Sequence, residues 1–359
     1  MPHLSRPNAP LGLADKEAAH LGRFGLTLPT LLTASNPKLA KGQALGQGVA
    51  VLLHNLPADQ LARAVIPATS HLVAARAHLP ALAALADREG LTAAALGHNG
   101  CLWATCGCRE GCLNFSGRGG LGHAVAEARG RRTLAMVADP VTHARAVLWA
   151  VAYHWRRAKA LALPLAVRLR GTDEGPRIGW HRLRFSLTPH EAQALERRFG
   201  LPVAAGEALT LAEALAPATP EGLTLYDYSK APLGGPLGLE AQRAAGWDIT
   251  ASMAADRPSA VADAMAALGA GFRLAVPVAM AKGDPLPVAL TLVRGGQTVR
   301  VPCISGDLSD HRHLDPHGVA VILRTKQSRG ADPATAAPFS LAAAPWPQEL
   351  PDGLAWLSY

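Results

Sequence analysis

The sequence predicts an α/β fold built on a largely parallel sheet. Short apolar runs recur along the chain, stretches of helical period lie between them, and Gly, Pro or Asp bounds many of the runs. With 359 residues, 49% of them hydrophobic, the chain can bury a large core. No repeat of roughly 20–50 residues is visible, which argues against a solenoid or propeller.

The predicted strands, in order, are Gly48–Leu56, Thr92–Gly97, Leu165–Leu169, Leu223–Tyr228, Asp248–Met253, Arg273–Val278, Thr298–Ile304 and Val319–Leu323. Helices fit between them. Asp139-Pro140 supplies an N-cap and a first helical residue for a helix running to about Ala162. Thr188 with Glu191, and Thr210 with Glu213, have the spacing of capping boxes, and Gly200 is a natural stop. Ser259–Leu268 is alanine-rich and closes at Gly269. Pro57–Gly90 reads as mostly helical with a break at Pro67. Three parts are expected: an N-terminal extension over residues 1–90, a metal-binding α/β unit over 91–330, and an irregular tail over 331–359.

Composition narrows the function classes. No stretch approaches the roughly 20 apolar residues that a membrane span requires. The first twenty residues carry charges where a signal peptide needs its apolar core, so a cytoplasmic protein is expected. The formal charge of +8 permits a nucleic-acid or phosphate-bearing partner without requiring one.

Four of the five cysteines, Cys101, Cys106, Cys108 and Cys112, fall within twelve residues. Thiolates are soft ligands that suit zinc or an iron–sulfur cluster, and in a reducing compartment such a set favours metal over disulfides. Three thiolates can hold a 4Fe–4S cluster with one iron open; four can close a structural zinc site; a redox pair or plain packing is the third option. Gly119 and Gly120, in Gly117–Gly120, offer backbone N–H groups to an anion, and Arg129, Arg131 and Arg132 follow, most simply on a solvated helix face.

Other polar groups stand at strand ends, where barrel-type enzymes place their chemistry. Arg168, Arg170, Gly171, Thr172 and Asp173 close one strand; Asp227, Ser229 and Lys230 close the next; Thr250 and Ser252 lie on a third. Asp307, Asp310, His311, Arg312, His313, Asp315 and His317 crowd a fourth. Such density suits a divalent metal or an acid–base pair, with Asp307, Asp310 and Arg312 the preferred members; for any single histidine a surface or structural role is the simpler reading. Lys38 and Lys41, in the run Asn36–Gly42, suit a phosphate- or nucleic-acid-contacting loop. Neither a P-loop nor a Gly-x-Gly-x-x-Gly turn after a strand is present, which argues against an NTPase or a Rossmann dehydrogenase.

The blocks LLTASNPKLAKG (Leu31–Gly42), CLWATCGCREGCLNFSGRGG (Cys101–Gly120), ARGRRT (Ala128–Thr133), AVRLRGTDE (Ala166–Glu174), YDYSK (Tyr226–Lys230) and CISGDLSDHRHLDPHGVAVILRTK (Cys303–Lys326) resemble, in that order, those of the phage gene product 88 family. The likeness spans roughly residues 28 to 330. It implies a phage or mobile-element protein and a set of functional positions, but no reaction. It aligns Cys101, Cys108 and Cys112 as ligands and leaves Cys106 as an extra; Arg170 stands where an Asn is expected.

The order of cysteine loop and βα units is also similar to radical S-adenosylmethionine enzymes, although their C-x3-C-x2-C spacing is absent. That likeness implies a partial or modified (β/α) barrel with mostly parallel strands and an N-terminal helical extension. The function expected is an iron–sulfur enzyme with its 4Fe–4S cluster at the strand ends, acting on a nucleotide, nucleic acid or small metabolite. The likeness makes S-adenosylmethionine a candidate co-substrate and leaves open whether it binds, and zinc is the alternative to the cluster. Asp173, Asp227, Lys230, Asp307, Asp310 and Arg312 would be the catalytic residues, and Arg170, Gly171, Thr172, Gly119 and Gly120 would bind the cofactor. The alternatives are a zinc-stabilised nucleic-acid-binding protein and an Asp/His metal-dependent nuclease.

Overall fold

The computed structural model describes residues 14–34, 37–56, 60–65, 79–110, 123–173, 175–280, 283–325, 339–343, 345 and 347–359. Helices α1 (Asp15–Arg23), α2 (Leu28–Leu31) and α3 (Pro37–Ala44) precede strand β1 (Val49–Leu52). A helical stretch follows: α4 (Gln60–Val65), α5 (Pro80–Arg88), α6 (Thr92–Leu96), α7 (Cys106–Glu110), α8 (His123–Ala138) and α9 (Pro140–Ala160), leading to β2 (Leu165–Arg168). An excursion through β3 (Phe185–Leu187), α10 (Pro189–Phe199), β4 (Gly206–Leu209) and α11 (Leu211–Leu215) returns to β5 (Leu223–Ser229). Then come α12 (Leu239–Ala244), β6 (Asp248–Ser252), α13 (Ala260–Gly269), β7 (Arg273–Ala279), β8 (Ala289–Arg294), β9 (Gln297–Ser305), β10 (Ala320–Arg324), β11 (Leu341–Ala342), β12 (Gln348–Leu350) and β13 (Gly353–Ser358).

The main sheet has the order β1-β2-β5-β6-β7-β10-β9-β8-β13-β12, with β11 added beside the end of β7. From β1 to β9 the neighbours are parallel; β8, β13 and β12 continue antiparallel. Each parallel pairing climbs along its strand. β5 meets β2 through Leu223–Leu225 and β6 through Tyr226–Ser229, and β6 meets β7 only from Thr250 onward. Such stagger curls a sheet as in a barrel. No pairing joins β1 to β12 among the described residues, so the sheet is open and the expected barrel is not closed.

Local chemistry explains these elements. Asp139 caps α9 by accepting the Thr142 N–H at 2.9 Å, and Pro140 follows it. Thr188 and Thr210 form the predicted capping boxes, and Gly200 ends α10 in a left-handed conformation. Thr92–Leu96, expected as a strand, is a helix: its run of alanines suits a helix, and it lacks the β-branched pattern of a strand. The cysteine segment therefore follows a helix rather than a strand. The tail is also more regular than expected, because Gly353–Ser358 pairs along β8. The first ninety residues supply β1 to the main sheet and so are built into it.

The two faces of the parallel region differ. One packs Val49, Val51, Val167 and Leu225 against the buried side of α9 in the main core. The other carries a small apolar patch, Ala50, Leu52, Ala166 and Tyr226, closed by Leu39 of α3. Beyond that patch the second face is ionic. Arg273, fully buried, holds both carboxylate oxygens of Asp248 at 2.7 Å through Nη2 and donates to the Arg312 carbonyl at 2.8 Å.

Replacing Arg273 by Ala strands Asp248 and the Arg312 carbonyl, and should lower stability by about 3 kcal/mol. Thr188→Ala, which removes one helix cap, should cost about 1 kcal/mol. Urea denaturation of both variants checks the ranking; an equal small loss would remove Arg273 from its place as the tie of the second face.

Candidate active site

The turn after β2 organises the strand ends. Asp227 is fully buried on β5, and its Oδ2 accepts the N–H groups of Leu169 at 3.2 Å and Arg170 at 3.0 Å. Its other oxygen accepts the Tyr228 N–H at 3.2 Å and faces Arg168 Nε at 3.5 Å. Burial pushes this carboxyl up to about 6, against the pull of Arg170 and Arg168. Arg170 turns to Gln242 at 2.7 Å and lies over the Trp247 ring. The Thr172 hydroxyl donates to the Asn55 carbonyl at 2.6 Å. A Cβ on Gly171 would fall 2.4 Å from His54 Nδ1 and 2.7 Å from the Leu53 carbonyl, so only glycine lets the exits of β1 and β2 approach this closely. Arg170, Gly171 and Thr172 are thus engaged by the protein itself.

Asp173 ends this turn, 5% exposed. One oxygen accepts from Asn55 Nδ2 at 3.1 Å and from the Gly175 N–H at 3.2 Å, while Oδ1 is buried without a partner among the described residues. Burial pushes Asp173 up to about 7, opposed mainly by the Asn55 bond. Two further orphaned polar atoms stand close by, Asn55 Oδ1 and His98 Nε2. A Cβ on Gly100 would lie 3.3 Å from His98 Nε2, 3.4 Å from the Asp173 Cβ and 3.1 Å from the Leu56 carbonyl. The residue before Cys101 therefore rests on the exits of β1 and β2.

The rest of the cysteine segment is tied to the loop after β6. Asp256 accepts the Thr105 hydroxyl at 2.7 Å and the Gly107 N–H at 2.9 Å, while Thr105 Oγ1 accepts the Cys108 N–H at 3.1 Å. Arg257 donates to the carbonyls of Trp103 at 3.0 Å and Lys230 at 2.5 Å, joining the segment to the end of β5. Cys101 and Cys108 are half-buried and Cys106 is exposed. Cys112, Gly119 and Gly120 lie outside the described residues, as does the side chain of Lys38; Lys41 is exposed on α3.

The fourth polar group separates from the first three. Residues Ser309–Asp315 fold over the second face of the sheet, where the turn at Arg312–Leu314 packs on β5 and β6. Asp310 binds Arg168 Nη1 at 3.0 Å, and Arg312 binds Asp315 at 2.9 Å and the Ser309 carbonyl at 2.6 Å. Asp307 faces Arg324 at 3.3 Å. The His311 and His313 rings lie tilted at 5.7 Å, and His313 lies tilted at 5.1 Å from Tyr226, with burial pushing His313 down to about 4. His317 is exposed, with Nδ1 at 3.1 Å from the Gly271 carbonyl. No three His, Cys, Asp or Glu side chains gather as a metal site among the described residues.

The residues that hold these parts together, His54, Asn55, His98, Asp256 and Arg257, were not singled out from the sequence. His54 and Asn55 follow β1, and Asp256 and Arg257 follow β6, so the strand-end rule applied to those two strands would have found them. His98 carried no such signal.

Asp173 is testable through pH. Its carboxyl is raised from the ordinary 3.8 to about 7, so its contribution to stability is complete below about pH 4 and is lost as pH rises through 7. Asp173→Asn, which cannot ionise, should gain stability relative to the parent protein across that window, by on the order of 3 kcal/mol. Chemical denaturation of both proteins at pH 5, 6, 7 and 8 reads the difference (about one pH unit per step). A difference independent of pH would show that Asp173 ionises normally. Compared with profiles of protein families, with characterised proteins and with solved structures, the chain matches none.

Proposed function

We propose that this chain is an iron–sulfur enzyme whose cluster is held by Cys101, Cys108 and Cys112 at the C-terminal ends of the parallel strands. Kinship with the gene product 88 family is part of the same proposal and rests on the ordered sequence blocks. The observation that carries it is the tethering of the cysteine segment. Asp256 and Arg257 fasten it to β6 and β5, and Gly100 seats it on the exits of β1 and β2. A peripheral zinc knuckle has no need of strand-end side chains for its position, whereas a reactive metal needs them beside it.

Cys101 and Cys108, both half-buried, suit such a group in chemistry and in shielding, while Cys112 lies outside the described residues. The cluster would supply an open iron for redox or Lewis-acid chemistry. The chain's own groups have distinct tasks. Asp173, near neutrality at about 7, can hold or release a proton at the buried Oδ1. Asp227 fixes the turn that carries it, and the Lys230 backbone anchors Arg257. Arg170, Gly171 and Thr172 do not fit an S-adenosylmethionine site, being already occupied by Gln242, His54 and Asn55, so no step is assigned to that co-substrate. The nuclease alternative fares no better: Asp307, Asp310 and Asp315 each face an arginine, which a divalent cation would have to displace.

Protein purified without oxygen should be brown and carry about four irons per chain. Cys108→Ala should lose the iron, Cys106→Ala should keep it, and Asp256→Ala should load it poorly while remaining folded. Metal analysis and visible absorption read all four proteins. Zinc without iron in the anaerobic wild-type protein would overturn the proposal.

A further inference from the structure

Helix α1 packs on α9, and two buried histidines meet at that junction. His143 of α9 has no exposure, and His20 of α1 is 6% exposed. Their rings lie edge to face with centroids 6.3 Å apart. On the far sides stand Phe24, 5.5 Å from His20, and Trp180, 6.3 Å from His143. Among the described residues, neither nitrogen of His143 has a hydrogen-bond partner, and nor has Nε2 of His20. His20 keeps one bond, to the Ala135 backbone. Trp180 also backs onto the segment that follows Asp173, since a Cβ on Gly175 would fall 2.4 Å from its Nε1.

A neutral imidazole has one N–H to satisfy, whereas an imidazolium has two and carries a charge. His143 has no acceptor in reach among the described residues, and a charged His20 would stand one ring away. Few charged groups face the pair. Asp139 favours the charged form of both rings, but it is already engaged as the cap of α9 by the Thr142 N–H and hydroxyl. Glu17 of α1 favours charge on His20, and it shares Arg145 with Glu191 of α10. Arg23 of α1 opposes charge on His20, Arg132 of α8 opposes it on His143, and Trp180 brings none. Burial decides the balance and lowers both histidines from the ordinary 6.5, His143 to about 3. Docking is therefore strongest above pH 6.5 and weakens as pH falls toward 3, because undocked rings take up protons that docked rings refuse. Each histidine then costs about tenfold in the docking equilibrium per pH unit.

We propose that α1 is an acid-sensitive clasp: the contact between His20 and His143 holds it on α9 while both rings are neutral, and moderate acid undocks it as a local unit. Opening this junction moves one nine-residue helix, whereas uncovering His313 from Tyr226 requires the second face of the sheet to open. The clasp is thus the first part to respond. No residue of the cysteine segment takes part, so the clasp acts whether or not the chain binds iron.

Amide hydrogen exchange of the full chain between about pH 7.5 and 5.5, corrected for the intrinsic pH dependence of exchange, tests this. Protection of the α1 amides should fall about tenfold for each histidine over that window, on the order of a hundredfold together. The amides of β5 should change far less. His143→Phe and His20→Phe keep a ring in place but cannot charge, so each should cut the fall to about tenfold. Circular dichroism establishes that each variant is folded, and His20→Phe decides if His143→Phe is not. Protection of α1 that does not depend on pH overturns the clasp. So does an undiminished fall in the folded Phe variants, or a fall shared equally by α1 and β5, which would mark global unfolding.

Discussion

The buried carboxylate of Asp227 is the constraint on which the strand ends depend. A charge with no exposure must be answered from within, and it is answered by two backbone N–H groups of the next strand's exit, by its neighbour's N–H, and by nearby guanidiniums. The answer fixes where β2 stops. With Leu169 and Arg170 held, Gly171 must pass His54, Thr172 reaches the Asn55 carbonyl, and Asp173 is delivered beside Gly100. One carboxylate on β5 thus sets the turn after β2, and through it the seat of the cysteine segment.

The second face of the sheet is a different kind of solution. The curl of the parallel strands leaves an inner surface that Ala50, Leu52, Ala166 and Tyr226 cover only in part. The remainder is filled by the segment after β9, brought in through Arg168 with Asp310 and through Arg273 with the Arg312 carbonyl. Breaking a buried pair costs far more than an apolar replacement would, so such pairs specify register more than they add stability. This explains why an Asp- and His-rich run that suggests catalysis or metal binding is occupied by ties to the sheet and to itself. It leaves Arg168 as the link between the filled face and the strand-end site, since it touches Asp310, Asp227 and the Tyr228 ring at once.

Much of this fold was legible in the sequence. Seven of the eight predicted strands fall on observed ones, because apolar runs bounded by Gly, Pro or Asp carry their own signal. The caps at Asp139, Thr188 and Thr210 were legible for the same local reason. The failures have different causes. Thr92–Leu96 is apolar enough for either element, and helix propensity decided it. Strand β8 was missed although Gly295 and Gly296, both at positive φ, join it to β9 as a hairpin turn demands. In the site, Asp173 and Asp227 were visible from their place after apolar runs, whereas the bond from the Leu56 N–H to Thr133 of α8 joins residues 77 apart, which no spacing encodes.

The way the cysteine segment is held also bears on how it can work. Its polar ties are two bonds to Asp256 and one from Arg257, which also holds the Lys230 carbonyl; Gly100 and Trp103 add packing on the body of the protein. Packing ties lose strength gradually with displacement, whereas hydrogen bonds to a single carboxylate are lost together when that residue moves. The loop after β6 therefore controls the segment as a unit. A ligand that drew Asp256 or Arg257 toward itself would loosen the segment from the ends of β5 and β6 while Gly100 still rested on the turn after β2. The segment is thus held from two sides, by hydrogen bonds from the loop after β6 and by the packing of Gly100 and Trp103.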